Sequence, residues 1–213
     1  MSKLFDDEVR GQLTAIFDDM KSPVTIEFFT EPGAPSGDQT RDFLEEIAEI
    51  SEKVTVHYND MPEAQAKADE YGIQRMPGFA VLDEAGKDHG IQFYGLPGGH
   101  EINSFIYALM QVGGAKEELP GDLAQEVAGF DKDINIKVFV TLSCPHCPGA
   151  VSKAHRLALE NPRIKAEMID ANLFPELSQK HNVSSVPKIV FNDGQDLLGN
   201  QPVEAFMNAL REL

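Results

Sequence analysis

Two copies of one strand-and-helix order predict an α/β protein. The first sign is a β-run, Val24-Thr25-Ile26-Glu27-Phe28-Phe29-Thr30, answered in the second half by Ile136-Lys137-Val138-Phe139-Val140-Thr141-Leu142. The second is a proline ahead of a later strand in each half, at Met76-Pro77 and at Val186-Pro187. The third is the order itself: each half reads as a leading helix followed by β-α-β-α-β-β-α. Strand pairs joined through helices should be parallel, and the last two strands of each half should form a hairpin. If the central strands of the two units join, one continuous mixed sheet crosses the protein.

In the first half, a helix is expected over about 4–20, with Val9, Leu13, Ile16, Phe17 and Met20 on its apolar face. Pro23 separates it from the strand Val24–Thr30, and Glu31 to Gln39 is a Pro/Gly/Ser loop. Then come a helix over about 40–50, a strand near 53–58 and a short helix over about 62–71. Strands at 79–82 and 90–94 flank a turn at Ala85-Gly86. Gly98-Gly99-His100-Glu101 opens a helix ending near Gln111. Gly113-Gly114 through Pro120-Gly121 marks the boundary, giving units of residues 1–119 and 120–213.

The second half offers a helix over about 122–130, a strand from Ile134 to Leu142, and a helix to Glu160 stopped by Asn161-Pro162. A strand at 164–169, a helix over about 172–181, strands at 188–191 and up to Leu198, and a last helix from Pro202 complete it.

Both cysteines of the chain lie in Cys144-Pro145-His146-Cys147, at the strand-to-helix junction of the second half. Unpaired backbone N–H groups and the helix dipole at such a junction stabilise a thiolate, the reactive form. Cys147, one turn on, can close a disulfide with Cys144. Proline at position 145 suits the first helical position. A partly protonated His146 would further favour the Cys144 thiolate; a surface histidine with no electrostatic duty is the lesser alternative. Pro148 should loosen or kink the helix. A zinc site needs two more ligands, and no second cysteine pair exists, although His146, His155 and His181 lie near in sequence. No metal and no bound cofactor are expected; the redox group is the Cys144–Cys147 pair itself.

Composition narrows the partners. The net charge is −17, so nucleic acid and anionic membrane are poor ones. Residues 1–119 carry 23 acids and 9 bases, and residues 120–213 carry 12 and 9. The cysteine-bearing half is thus nearly neutral beside an acidic body. No apolar signal core opens the chain and no run approaches a membrane span, so the cytoplasm is the expected location. A cytosolic disulfide is usually catalytic or redox-sensing. The first half has no thiol and shows Glu31-Pro32-Gly33-Ala34-Pro35-Ser36 at the matching junction. It reads as a scaffold, a docking surface, or both.

Each half reads as a thioredoxin-like unit. The chain resembles the double-thioredoxin-fold family of glutaredoxin-like protein disulfide oxidoreductases and the N-terminal domain of the alkyl hydroperoxide reductase F subunit. The residues carrying the resemblance are Leu142-Ser143-Cys144-Pro145-His146-Cys147-Pro148, Asn161-Pro162-Arg163-Ile164-Lys165, Asn182-Val183 with Val186-Pro187, and Tyr94-Gly95-Leu96-Pro97 with Gly98-Gly99-His100-Glu101. The missing first dithiol pulls the resemblance towards the reductase domain.

The resemblance implies a cytosolic dithiol carrier. A thioredoxin-reductase-like flavoprotein would reduce Cys144–Cys147, and Cys144 would then attack a disulfide in a peroxiredoxin or another protein. No Gly-x-Gly-x-x-Gly occurs up to Leu213, so the flavoprotein is expected as a separate chain, and the carrier itself as a monomer. It also implies a cis proline at 187 facing the dithiol, with Val186 pairing to a bound substrate strand. Two other readings stand beside it: a thiol oxidase or disulfide isomerase, and a non-catalytic redox-sensing binding module.

Single-unit thioredoxins hold a buried acid on the strand before the dithiol. Lys137, Val138, Phe139 and Val140 offer none here. Glu101, in the Gly-His-Glu stretch shared with the family, is the expected proton carrier for Cys147, with His100 as runner-up.

Overall fold

The computed structural model describes residues 4–213. Among the described residues, short runs, most of them buried on both faces, form eight strands: β1 (Val24–Thr30), β2 (Val54–Asp60), β3 (Gly78–Leu82), β4 (Asp88–Tyr94), β5 (Ile134–Val140), β6 (Ile164–Asp170), β7 (Lys188–Phe191) and β8 (Asp196–Leu198). The helices are α1 (Asp7–Asp18), α2 (Gly37–Ile50), α3 (Gln65–Tyr71), α4 (Ile102–Val112), α5 (Leu123–Ala128), α6 (Cys147–Ala158), α7 (Pro175–Lys180) and α8 (Val203–Arg211). A 3-10 turn, Gly99–Glu101, leads into α4.

All eight strands form one mixed sheet in the order β2-β1-β3-β4-β6-β5-β7-β8. β1/β2 and β5/β6 are parallel, and β3/β4 and β7/β8 are antiparallel hairpins, as the repeat requires. The join differs from expectation in one respect. It runs not through the central strands but through the outer ones: β4 pairs with β6 in parallel, from Ile91 beside Ala166 to Tyr94 beside Ile169. Pairing these two otherwise free edges satisfies their backbone groups and leaves β2 and β8 as the sheet's ends.

The seam is packed on both faces. On one, His155 of α6 is fully buried, its ring 4.8 Å from that of Phe93 and its Nε2 3.3 Å from the Gln92 carbonyl. Phe79, Phe93 and Phe105 cluster beside it, and α4 lies against α6. On the other, the Arg75 guanidinium sits over the Tyr94 ring and donates to Glu167 at 3.3 Å. Gly90, at φ +73°, lets the backbones close: a Cβ there would stand 2.4 Å from the Ile164 carbonyl oxygen. One continuous apolar core draws on both halves, including Leu44, Ile47, Phe105, Val138, Ala154 and Phe206.

Several boundaries shift for local reasons. α1 starts at Asp7 because the Asp6 side chain caps it, accepting from the Val9 N–H at 2.8 Å. Leu4 and Phe5 stay outside, their N–H groups donating to the buried Glu46 carboxylate. α2 begins at Gly37 rather than near Thr40. α6 begins at Cys147, so Pro145 precedes the helix rather than opening it. Pro148 then falls in the first turn, where its missing N–H would have had no helical partner.

Candidate active site

β5 ends at Val140, and the chain turns through Thr141–His146 before α6. The Cys144 N–H donates to the Thr141 carbonyl at 3.0 Å, closing the turn. Cys144 and Cys147 form a disulfide with Cα atoms 5.5 Å apart. Cys147 is fully buried, whereas Cys144 is partly exposed and Pro145 and His146 are exposed. The dithiol thus occupies the expected junction, with Cys147 rather than Pro145 as the first helical residue.

The Val186–Pro187 peptide is cis, and the Val186 carbonyl oxygen lies 3.9 Å from Cys144 Sγ. Met76–Pro77 is cis as well, in the unit that has no thiol. Pro187 is buried beneath the rim, and Val186 is half-buried beside the outer sulfur.

The first half supplies the remaining wall. The His100 N–H donates to the Leu142 carbonyl at 2.9 Å, two residues before Cys144. Gly99 has φ +55°, and a Cβ there would stand 2.3 Å from that same carbonyl oxygen. The 3-10 turn Gly99–Glu101 thereby packs on α6, the helix that Cys147 begins. The His100 side chain is exposed. Glu101 is fully buried, with Oε2 hydrogen-bonded to Ser104 Oγ and Oε1 left without a partner. Burial pushes its carboxyl up to about 7; the Ser104 hydroxyl opposes the rise and the nearby Asp170 carboxylate adds to it. Asp170, at the end of β6, is itself held above the usual carboxylate range by burial, against hydrogen bonds from the Asn172 and Leu173 N–H groups.

Sequence reasoning does not find Ser104 or Asp170. Ser104 carries one available signal, its i+3 spacing from Glu101 on a helix. Two of the three histidines weighed as metal ligands are engaged elsewhere. His155 is in the seam, and His181 lies against Phe139 with Asp193 at 3.6 Å. Among the described residues, no group of three or more His, Cys, Asp or Glu could hold a metal. Nor, among them, is any helix long and apolar enough to cross a membrane.

A two-residue-spaced disulfide at a strand-to-helix junction, facing a cis proline on this sheet, defines a thioredoxin-fold protein disulfide oxidoreductase. The thioredoxin-domain family matches residues 134–212, and a domain family of unknown function matches 14–95. The F subunit of alkylhydroperoxide reductase from Enterococcus faecalis superposes with a TM-score of 0.92 at 34% identity, covering 98% of this chain and 100% of that one. A protein disulfide oxidoreductase from Aeropyrum pernix shares the fold, with a TM-score of 0.90 at 24% identity over 97% of this chain and 92% of that one. The alkyl hydroperoxide reductase F subunit of Xanthomonas campestris pv. phaseoli is 32% identical over 191 residues, 89% of this chain and 33% of the relative. The chain thus spans about a third of the length of the curated relatives it matches. It belongs to the double-thioredoxin-fold family that includes the N-terminal region of the alkyl hydroperoxide reductase F subunit.

Proposed function

We propose that the protein is a cytoplasmic, monomeric dithiol carrier. It takes electrons from a flavoprotein of the thioredoxin-reductase type and delivers them to a disulfide in a peroxiredoxin or another protein. The observation that carries this reading is the disulfide's asymmetry: Cys144 is open to a partner, while Cys147 is sealed at the start of α6, the helix on which the turn ending at the buried Glu101 packs.

In the reduced protein, the Cys144 thiolate attacks one sulfur of the target disulfide. A Cys144–target disulfide forms and the first target thiolate leaves. The Val186 carbonyl beside Cys144 can accept a backbone N–H from the target chain, aligning it as an added strand. Cys147 then loses its proton to the Glu101 carboxylate, and its thiolate attacks Cys144 Sγ. The second target thiolate leaves and takes up a proton, and the Cys144–Cys147 disulfide closes. The flavoprotein returns two electrons and one proton to it, restoring the Cys144 thiolate and the Cys147 thiol, and Glu101 passes its own proton on so that it can act again. A carboxyl near 7 is poised to accept and return a proton at neutral pH. Pro145 and His146 border the attacking sulfur and shape its exposed side.

The test is capture. A Cys147→Ser variant cannot resolve, so it should hold its target as a Cys144 mixed disulfide. Recovery of a peroxiredoxin or another disulfide protein, together with a reduction potential near that of thioredoxin, roughly −270 mV, supports the carrier. A potential near −120 mV with no trapped target would replace it with a thiol oxidase.

A further inference from the structure

Ser104 contacts two oxygen atoms of one residue. Its Oγ lies 2.9 Å from the main-chain oxygen of Glu101 and is hydrogen-bonded to Oε2 of the same glutamate. Both residues are fully buried. A hydroxyl has one proton to donate and lone pairs with which to accept. With Glu101 ionised, both oxygens are acceptors and Ser104 can serve only one at a time. With Glu101 protonated on Oε2, the carboxyl donates to Ser104 Oγ while Ser104 donates to the main-chain carbonyl. Both contacts are then complete hydrogen bonds. The two arrangements differ by one proton and one turn of the hydroxyl; no heavy atom has to move.

We propose that Ser104 is a positioning residue for the dithiol's proton relay, its hydroxyl swinging from the main-chain carbonyl to the carboxylate of Glu101 each time that side chain gives up its proton. This rests on reading Glu101 as the proton carrier of Cys147. The surroundings explain why such a partner is needed. Oε1 has no hydrogen bond, and an ionised carboxylate with one bare buried oxygen is costly. Asp170 at the end of β6 adds like charge, and the turn ending at Glu101 packs against α6, which starts at Cys147. Among the hydrogen bonds of the described side chains, the Ser104 hydroxyl is the one donor offered to the ionised form. Without it the carboxylate would form only at higher pH, and Cys147 would lose its base at neutrality.

Dithiobis-nitrobenzoate separates the two half-steps. The reduced protein releases one coloured thiolate when Cys144 is captured and a second when Cys147 resolves the mixed disulfide. Rapid mixing from pH 5 to 9 gives a rate profile for each. Ser104→Ala should leave the first release unchanged and move the midpoint of the second upward by about one pH unit or more, the expected size for losing a hydrogen bond to a charged group. Ser104→Thr, which keeps the hydroxyl, should restore the midpoint. In the infrared, the carbonyl stretch of the protonated carboxyl, assigned by its loss in Glu101→Gln, should titrate at correspondingly higher pH in Ser104→Ala. An unmoved midpoint and band in Ser104→Ala, with slow second release in Glu101→Gln, would overturn the role of Ser104 and leave Glu101 standing. A second release at wild-type rate in Glu101→Gln would overturn both.

Discussion

The main-chain N–H of His100 donates to the carbonyl of Leu142 at 2.9 Å, so a residue of the thiol-free half holds the turn that carries Cys144. Such close approach requires glycine at 99, where φ is +55° and a Cβ would meet the same carbonyl at 2.3 Å. Gly99→Ala is therefore expected to cost about 1–3 kcal/mol of stability through strain at a left-handed position. It should also slow closure of the Cys144–Cys147 disulfide by displacing Leu142. Urea unfolding and disulfide-exchange rates measured on the same samples check this. A variant as stable and fast as wild type would show that the contact is not a tight one.

The two thiols should differ sharply once reduced. Cys144 is partly exposed ahead of α6, and Cys147 is fully buried within its first turn. Iodoacetamide at mildly acidic pH is expected to label Cys144 first, because a thiolate near a helix N-terminus is favoured and a buried thiol is not. Peptide mapping after a short pulse reads the order. Preferential label on Cys147 would reverse the roles assigned to the pair.

Removing residues 1–119 should do more than discard acidic bulk. It would strip β4 from β6, bare the backbone edge running from Ala166 to Ile169, and uncover the α6 face that holds His155. A fragment of residues 120–213 is expected to aggregate or to unfold without a cooperative transition. Sedimentation and thermal melting decide it. A soluble fragment with full exchange activity would mean that the second half does not depend on the seam.

Legibility follows locality. The strand β1 is readable to the residue because Pro23 and Glu31 punctuate an unbroken β-run. The dithiol is legible because two cysteines in such a context admit few other chemistries. The start of α6 is ambiguous because Pro145 and Pro148 both suit an early helical position, and only the turn closed onto the Thr141 carbonyl decides between them. The join through β4 and β6 is out of reach for another reason. Which edges meet depends on contacts far apart in sequence, such as Arg75 with Glu167, that no local pattern encodes. The absence of an acid on β5 only asks for a proton carrier from elsewhere; the family resemblance of the Gly-His-Glu stretch is what makes Glu101 the candidate, and Ser104 looks like any polar helical residue.

Stability should vary with pH through the same carboxyl. Burial raises Glu101 from its ordinary 4.5 to about 7 in the folded protein. Between those values the folded state binds more protons than the unfolded one, so stability falls as pH rises. The loss begins near pH 4.5 and is complete above pH 7, where keeping an ionised carboxylate buried costs about 3 kcal/mol. Asp170, also raised by burial, acts in the same direction. His155 acts oppositely and lower down. It is buried neutral with its pKa lowered to about 3, so its contribution is lost as pH falls from 6.5. Glu101→Gln replaces the ionising group with an amide that can still hydrogen-bond Ser104. Its urea midpoint should therefore match or exceed that of wild type at pH 8, with the gap shrinking towards pH 5 as the wild-type carboxyl protonates. Curves that stay parallel from pH 5 to pH 8 would show that Glu101 does not titrate in this range, and a proton carrier for Cys147 would have to be sought elsewhere.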